Sequence, residues 1–212
     1  MSGTQRYWIL VGCLIALVKP SFSQAQSIAV NVRIYNHVKV KQETLQRAQS
    51  EATRIFGEAG VELRWLPDPL TANISLEPST PDTNRRDPLL NIMLLNESMA
   101  TQFRRPGKQF GFALHAIAYV FCHRVEELAR SRNSSLPTIL GHIMAHELGH
   151  LVLGESSHSS EGIMTGTLRK KHFEQANKGN LLFRAEEAQR MRVNWGERLS
   201  IDPLPSRAAG TQ

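Results

Sequence analysis

Residues 146–150 read His146-Glu147-Leu148-Gly149-His150, inside a stretch from Ile139 to Leu153 that reads as one unbroken helix. The two histidines are four apart. On a helix, positions i and i+4 lie one above the other, so both imidazoles can reach one ion. Glu147 is rotated about 100° from His146, which sets its carboxylate beside such an ion rather than on it. A carboxylate there can take a proton from a metal-bound water. The segment therefore asks for a helix, and its flanks supply one. Ser134 or Ser135 can cap it, Pro137 falls in the first turn, and Gly154 is a stop signal.

Past Gly154 the composition turns to loop. Within it stands Ser156-Ser157-His158-Ser159-Ser160, followed by Gly162-Ile163-Met164. A catalytic zinc takes three protein ligands and leaves one position open. His158 is placed to be the third. A competing arrangement would draw the third ligand from Glu186 or Glu187 further downstream. His142 lies one turn before His146, but Ile143 leaves no carboxylate beside that pair. His142 is read as a cleft or packing residue, and His37, His115, His123 and His172 as structural or exposed.

Upstream, Ile28, Val30, Val32, Ile34 and Val38 share one parity, which predicts a half-buried strand over 27–40. Leu45, Ala48, Ala52, Ile55, Phe56 and Ala59 recur at helical spacing over 41–59, with Gly60 as a stop. Val61–Leu66 alternates again. Ala72–Leu76 is a candidate short strand in a Pro-, Thr- and Asn-rich stretch. Leu89–Leu95 reads as a buried strand, Asn96–Lys108 as loop, and Phe110–Val125 as strand, with a short helix over 126–131. Ala185–Leu199 reads as a last helix. Strand, helix and then three strands point to an α/β or α+β sheet domain.

The stretch from His146 to Met164 resembles the metzincin zinc peptidases. Their pattern is His-Glu-x-x-His-x-x-Gly-x-x-His, followed by a methionine-containing turn. Here three residues rather than two separate His150 from Gly154, and three rather than two separate Gly154 from His158. The chain is also similar to a group of uncharacterised exported bacterial proteins with the same His-Glu-x-Gly-His, Ser-His-Ser and Gly-Ile-Met elements. The resemblance covers residues 136–165 by motif and 28–165 by order of elements. It implies an α+β, zincin-like fold: a mixed four- to five-stranded sheet with a backing helix, an active-site helix and a C-terminal helix. It implies that Met164 is the turn methionine, and that Phe110–Phe121 is the edge strand along which substrate adds as an extended strand. No tyrosine follows Met164, so none can assist there.

The N-terminus has a different character. Arg6 precedes an apolar stretch from Tyr7 to Val18, then a polar stretch with Ser23 and Ala25. That is the layout of an export signal cleaved after Ala25, and it is short for a membrane span. An uncleaved anchor and a lipoprotein box at Leu10-Val11-Gly12-Cys13 are the alternatives. Cleavage would remove Cys13, leaving Cys122 without a partner; Cys122 is read as a small core residue on the edge strand. It would also remove two of the 25 basic residues and none of the 19 acidic ones, for a formal charge of +4. With no basic cluster beyond Arg169-Lys170-Lys171, nucleic acid is not an expected partner.

The expected organisation is a signal peptide over 1–25, one zincin-like catalytic domain over 26–203 and a disordered tail over 204–212. The expected activity is an exported, zinc-dependent endopeptidase acting on peptide or protein, without a stable membrane span after cleavage. His146, His150 and His158 would hold one zinc ion, Glu147 would be the general base, and Gly154 and Met164 would support them. The alternatives are a non-catalytic zinc-binding envelope protein and a zinc amidohydrolase acting on cell-wall peptide.

Overall fold

The computed structural model describes residues 28–67, 89–104, 109–154 and 156–200, with residues 198–200 described by their backbone alone. The expected signal segment, the tail beyond 203 and the candidate strand Ala72–Leu76 lie outside the described residues. The elements run β1 (Ile28–Asn36), α1 (Gln42–Glu58), β2 (Val61–Leu66), β3 (Leu89–Leu95), α2 (Glu97–Thr101), β4 (Gly111–Leu114), β5 (Ile117–Phe121), α3 (Cys122–Ser131), α4 (Leu136–Leu153), α5 (Lys170–Asn177) and α6 (Ala185–Ser200). The five strands form one mixed sheet in the order β2-β1-β3-β5-β4. All neighbours are parallel except β4, which pairs antiparallel with β5 at the sheet's end. The protein is α+β, as the order of elements predicts.

Alternation builds the sheet into the core. Val30, Val32 and Ile34 of β1, Val61 and Leu63 of β2, and Leu90, Ile92 and Leu94 of β3 are buried, and they join one cluster with the apolar faces of α1 and α4. β1 stops earlier than its periodicity suggests. The Asn36 side chain accepts from the Val40 backbone N–H at 2.9 Å and donates to the Val40 carbonyl at 3.0 Å, which closes a turn instead of extending the strand.

α4 is the centre of the molecule. It packs against α1 and is touched by β4, β5, α3, α5 and α6. Thirteen of its residues are buried around its whole circumference, as an interior helix requires. Gly141 makes the α1 crossing possible, since a Cβ there would fall 2.7 Å from the Ala48 carbonyl oxygen. Ser135 occupies the capping position but its hydroxyl makes no capping bond. Pro137, at the second helical position, has no N–H to offer it.

Other parts of the chain also differ from the sequence expectations. Phe110–Val125 is not one strand. It is the hairpin β4–β5, turning at His115 with φ of 56°, followed at once by α3. A uniformly apolar run hides both the turn and the change of period. Cys122 is accordingly the first residue of α3, not an edge-strand residue, and it is buried. Asn96–Lys108 is not wholly loop, because Asn96 caps the short α2 by accepting from Met99 N–H at 2.9 Å. α5 was also unanticipated. Its eight residues carry only Phe173 and Ala176 as buried apolar positions, too few to show a period. The outer aromatic residues Phe112 and Phe121 form a separate small cluster with Leu95 and Ala100.

Candidate metal centre

α4 carries His146 and His150 on one face, and the helix ends at Gly154, whose φ is 109° and whose N–H bonds the His150 carbonyl at 2.9 Å. That positive φ, costly for a residue with a Cβ, turns the chain back toward the histidines. The returning segment brings in His158. His150 Nε2 lies 3.1 Å from His146 Nε2 and 3.2 Å from His158 Nε2, and ligand atoms of the three all fall within 4.8 Å. Among the described residues this is the one cluster of three or more side chains suited to a metal ion.

The Ile163 carbonyl can only accept, so His146 donates to it through Nδ1–H at 2.7 Å. In the neutral ring Nε2 is then an unprotonated acceptor. Burial, with His150 next in importance, pushes the His146 imidazole down to about 3, so the ring is neutral. His146 Nε2 therefore turns a lone pair toward the other two rings. A tetrahedral ion with bonds of about 2.0–2.1 Å sets its nitrogens about 3.3 Å apart. The observed separations fit that spacing, so the three histidines suit a metal ion.

The segment after His158 is fastened. Ser159 N–H donates to the Met164 carbonyl at 2.9 Å, Ser159 and Thr165 form a bridge, and Ile163 N–H donates to the Leu182 carbonyl at 2.9 Å. Met164 is fully buried against α4 at Gly149, where a Cβ would fall 2.6 Å from its sulfur. The residue between His146 and His150 that meets the methionine has to be glycine for it to seat there.

Glu147 faces the opposite wall. A Cβ at Gly111 of β4 would lie 2.7 Å from Glu147 Oε1 and 2.4 Å from the Tyr119 carbonyl oxygen. The carboxylate is 4% exposed, its Oε2 has no hydrogen-bond partner, and burial pushes it up to about 8. Glu147, the three histidines and Gly111 line one cleft of about 790 Å³, bounded by α3 and by Phe173 of α5.

The other candidates fall elsewhere. Glu186 is exposed and pairs with Arg184, while Glu187 accepts from the Arg184 N–H at 2.8 Å at the start of α6; neither joins the cluster. His142 lines the cleft but donates from Nδ1 to the Thr138 carbonyl at 2.8 Å, and its Nε2 sits 3.6 Å from a Glu51 carboxylate already bound to Arg54. Burial, the largest influence on it, holds that imidazole below its usual range. His172 is buried and accepts from Arg169 N–H at 3.0 Å, a structural cap on α5. Sequence reasoning missed Gly111, which carries no local signal for a partner on α4. It also missed Ser157, whose hydroxyl oxygen lies 3.1 Å from His150 Nδ1.

Comparison with known protein families gives no match, and comparison with curated proteins gives none either. Among solved structures, the solution structure of TM1509 from Thermotoga maritima is 18% identical, over 84% of this chain and 99% of that one. Its TM-score is 0.35, too low to establish a shared fold.

Proposed function

We propose that this chain is a zinc-dependent peptidase of metzincin-like architecture. The observation that carries the proposal is the convergence of three imidazole Nε2 atoms in a cleft that also holds Glu147. A donor set of three imidazoles, without thiolate, suits zinc at a catalytic site. His146, His150 and His158 would hold it. When bound, the ion supplies Lewis acidity, lowering the proton affinity of a water and polarising a carbonyl.

The chain's own groups do the rest. Glu147 takes a proton from the attacking water at its carboxylate and returns it to the departing amide nitrogen. β4 is the last strand of the sheet among the described residues, lies beside α4, and can accept an extended substrate along its outer side. Met164 beneath Gly149 fits the turn methionine of that architecture. Export through residues 1–25 belongs to the same proposal, and the N-terminal mass of the mature chain checks it.

A second reading, zinc binding without turnover, is favoured by the burial of Glu147 against β4, which limits its access to water. One experiment separates the two. Metal content and hydrolysis of a mixed peptide library are measured for the wild type, Glu147→Ala and His158→Ala. The peptidase reading expects one zinc and chelator-sensitive hydrolysis in the wild type. It expects zinc without hydrolysis in Glu147→Ala, and loss of most zinc in His158→Ala. A zinc-loaded wild type inert toward every peptide supports the second reading. Full zinc retention by His158→Ala removes His158 from the ligand set.

A further inference from the structure

One short segment touches every histidine of the cluster. At its start Ser157 meets His150 Nδ1 at 3.1 Å, and the next residue is the ligand His158 itself. At its far end the Ile163 carbonyl holds His146 Nδ1 at 2.7 Å. Gly166 then flanks the His158 ring, where a Cβ would fall 3.2 Å from Nδ1 and 3.3 Å from Cγ. The segment is anchored without help from a metal. Ser157 N–H bonds the Gly154 carbonyl at 3.2 Å, and Ile163 and Met164 tie it to the core.

We infer that Ser157 is a positioning residue of the metal centre, its hydroxyl holding the His150 ring so that Nε2 faces His146 and His158. The inference rests on the zinc reading above. An imidazole must present an unprotonated Nε2 to an ion, which requires its proton on Nδ1 and an acceptor to receive it. For His146 that acceptor is a main-chain carbonyl. For His150 it is the Ser157 hydroxyl oxygen, which also fixes the ring's rotation. Ser157 therefore couples the second ligand to the third, because the turn that delivers His158 also orients His150. The neighbouring serines do other work. Ser159 donates to the Glu161 carbonyl at 2.6 Å, and Ser160 is exposed.

Zinc affinity measured by competition with a chromophoric chelator tests this, using the full chain and the variants Ser157→Ala, Ser157→Thr and Ser160→Ala. Ser157→Ala is expected to bind zinc about 10- to 100-fold more weakly, with Ser157→Thr within about threefold of wild type because it keeps the hydroxyl. The visible spectrum of the cobalt-loaded protein should change in Ser157→Ala and not in Ser157→Thr or Ser160→Ala. Circular dichroism of the zinc-free variants checks that the fold is intact. Wild-type affinity and an unchanged cobalt spectrum in Ser157→Ala would overturn the inference. So would equal losses in the alanine and threonine variants, which would implicate shape rather than the hydroxyl. A wild type that takes up no zinc sinks the metal reading itself, whereas a zinc-binding wild type matched by Ser157→Ala sinks only the role of Ser157.

Discussion

Gly149→Ala probes whether Met164 is seated against α4 between His146 and His150. A Cβ at 149 would stand 2.6 Å from the Met164 sulfur and 2.9 Å from Phe183 Cε1, both atoms of side chains. Forcing a methyl group into such a packed site costs about 1–3 kcal/mol. Alanine in a helix interior regains about 1 kcal/mol over glycine. The net loss should therefore be about 0–2 kcal/mol. Met164→Ala alone removes a fully buried side chain and should cost about 2–5 kcal/mol. In the double variant the sulfur no longer blocks position 149 and Phe183 is the remaining close neighbour, so the Met164 share of the packing cost disappears while the helical gain stays. The two substitutions should then be non-additive, with the double variant more stable than the sum predicts by about 1–2 kcal/mol. Urea unfolding of the four zinc-free proteins, followed by far-ultraviolet circular dichroism, measures the cycle. Additivity within about 0.5 kcal/mol would refute the contact between residues 149 and 164.

Two further outcomes follow from the same packing. Gly111→Ala places its Cβ 2.4 Å from a backbone oxygen that cannot swing aside, so β4 and Glu147 must both move. Bound zinc should be retained while hydrolysis by an active wild type falls roughly 100-fold; unchanged turnover would contradict the placement of Glu147. Cys122 is buried and burial pushes its thiol up to about 12, so little thiolate forms at pH 8. A thiol reagent should label it only on unfolding, and rapid labelling of the native protein would refute its position at the start of α3.

The histidine cluster was legible in the sequence to the extent that it is local. Four-residue spacing on a helix places His146 and His150 together whatever the rest of the chain does. Gly154 announces the reversal that returns His158. β1, β2, α1 and α6 were readable because each buries one face, and a single face leaves a period; β3 was readable as a short apolar run because it packs toward both clusters. α5 and α2 were too short to leave one. The β4–β5 hairpin and the start of α3 were masked, because their residues are apolar on either side of each boundary. Glu147 could be placed beside the histidines by rotation about the helix, but its burial could not. That burial comes from Gly111, 36 positions earlier, lying against it.

By itself the sequence determined which side chains could hold an ion and on which helix they would stand, since helical geometry converts spacing into direction. Only the tertiary structure decided how those side chains are held. The Ile163 carbonyl, the Ser157 hydroxyl, the seat of Met164 at Gly149 and the wall at Gly111 are contacts between segments that local periodicity does not relate. They exist because α4 is buried on every side, so that each of its faces has to be completed by a different part of the chain.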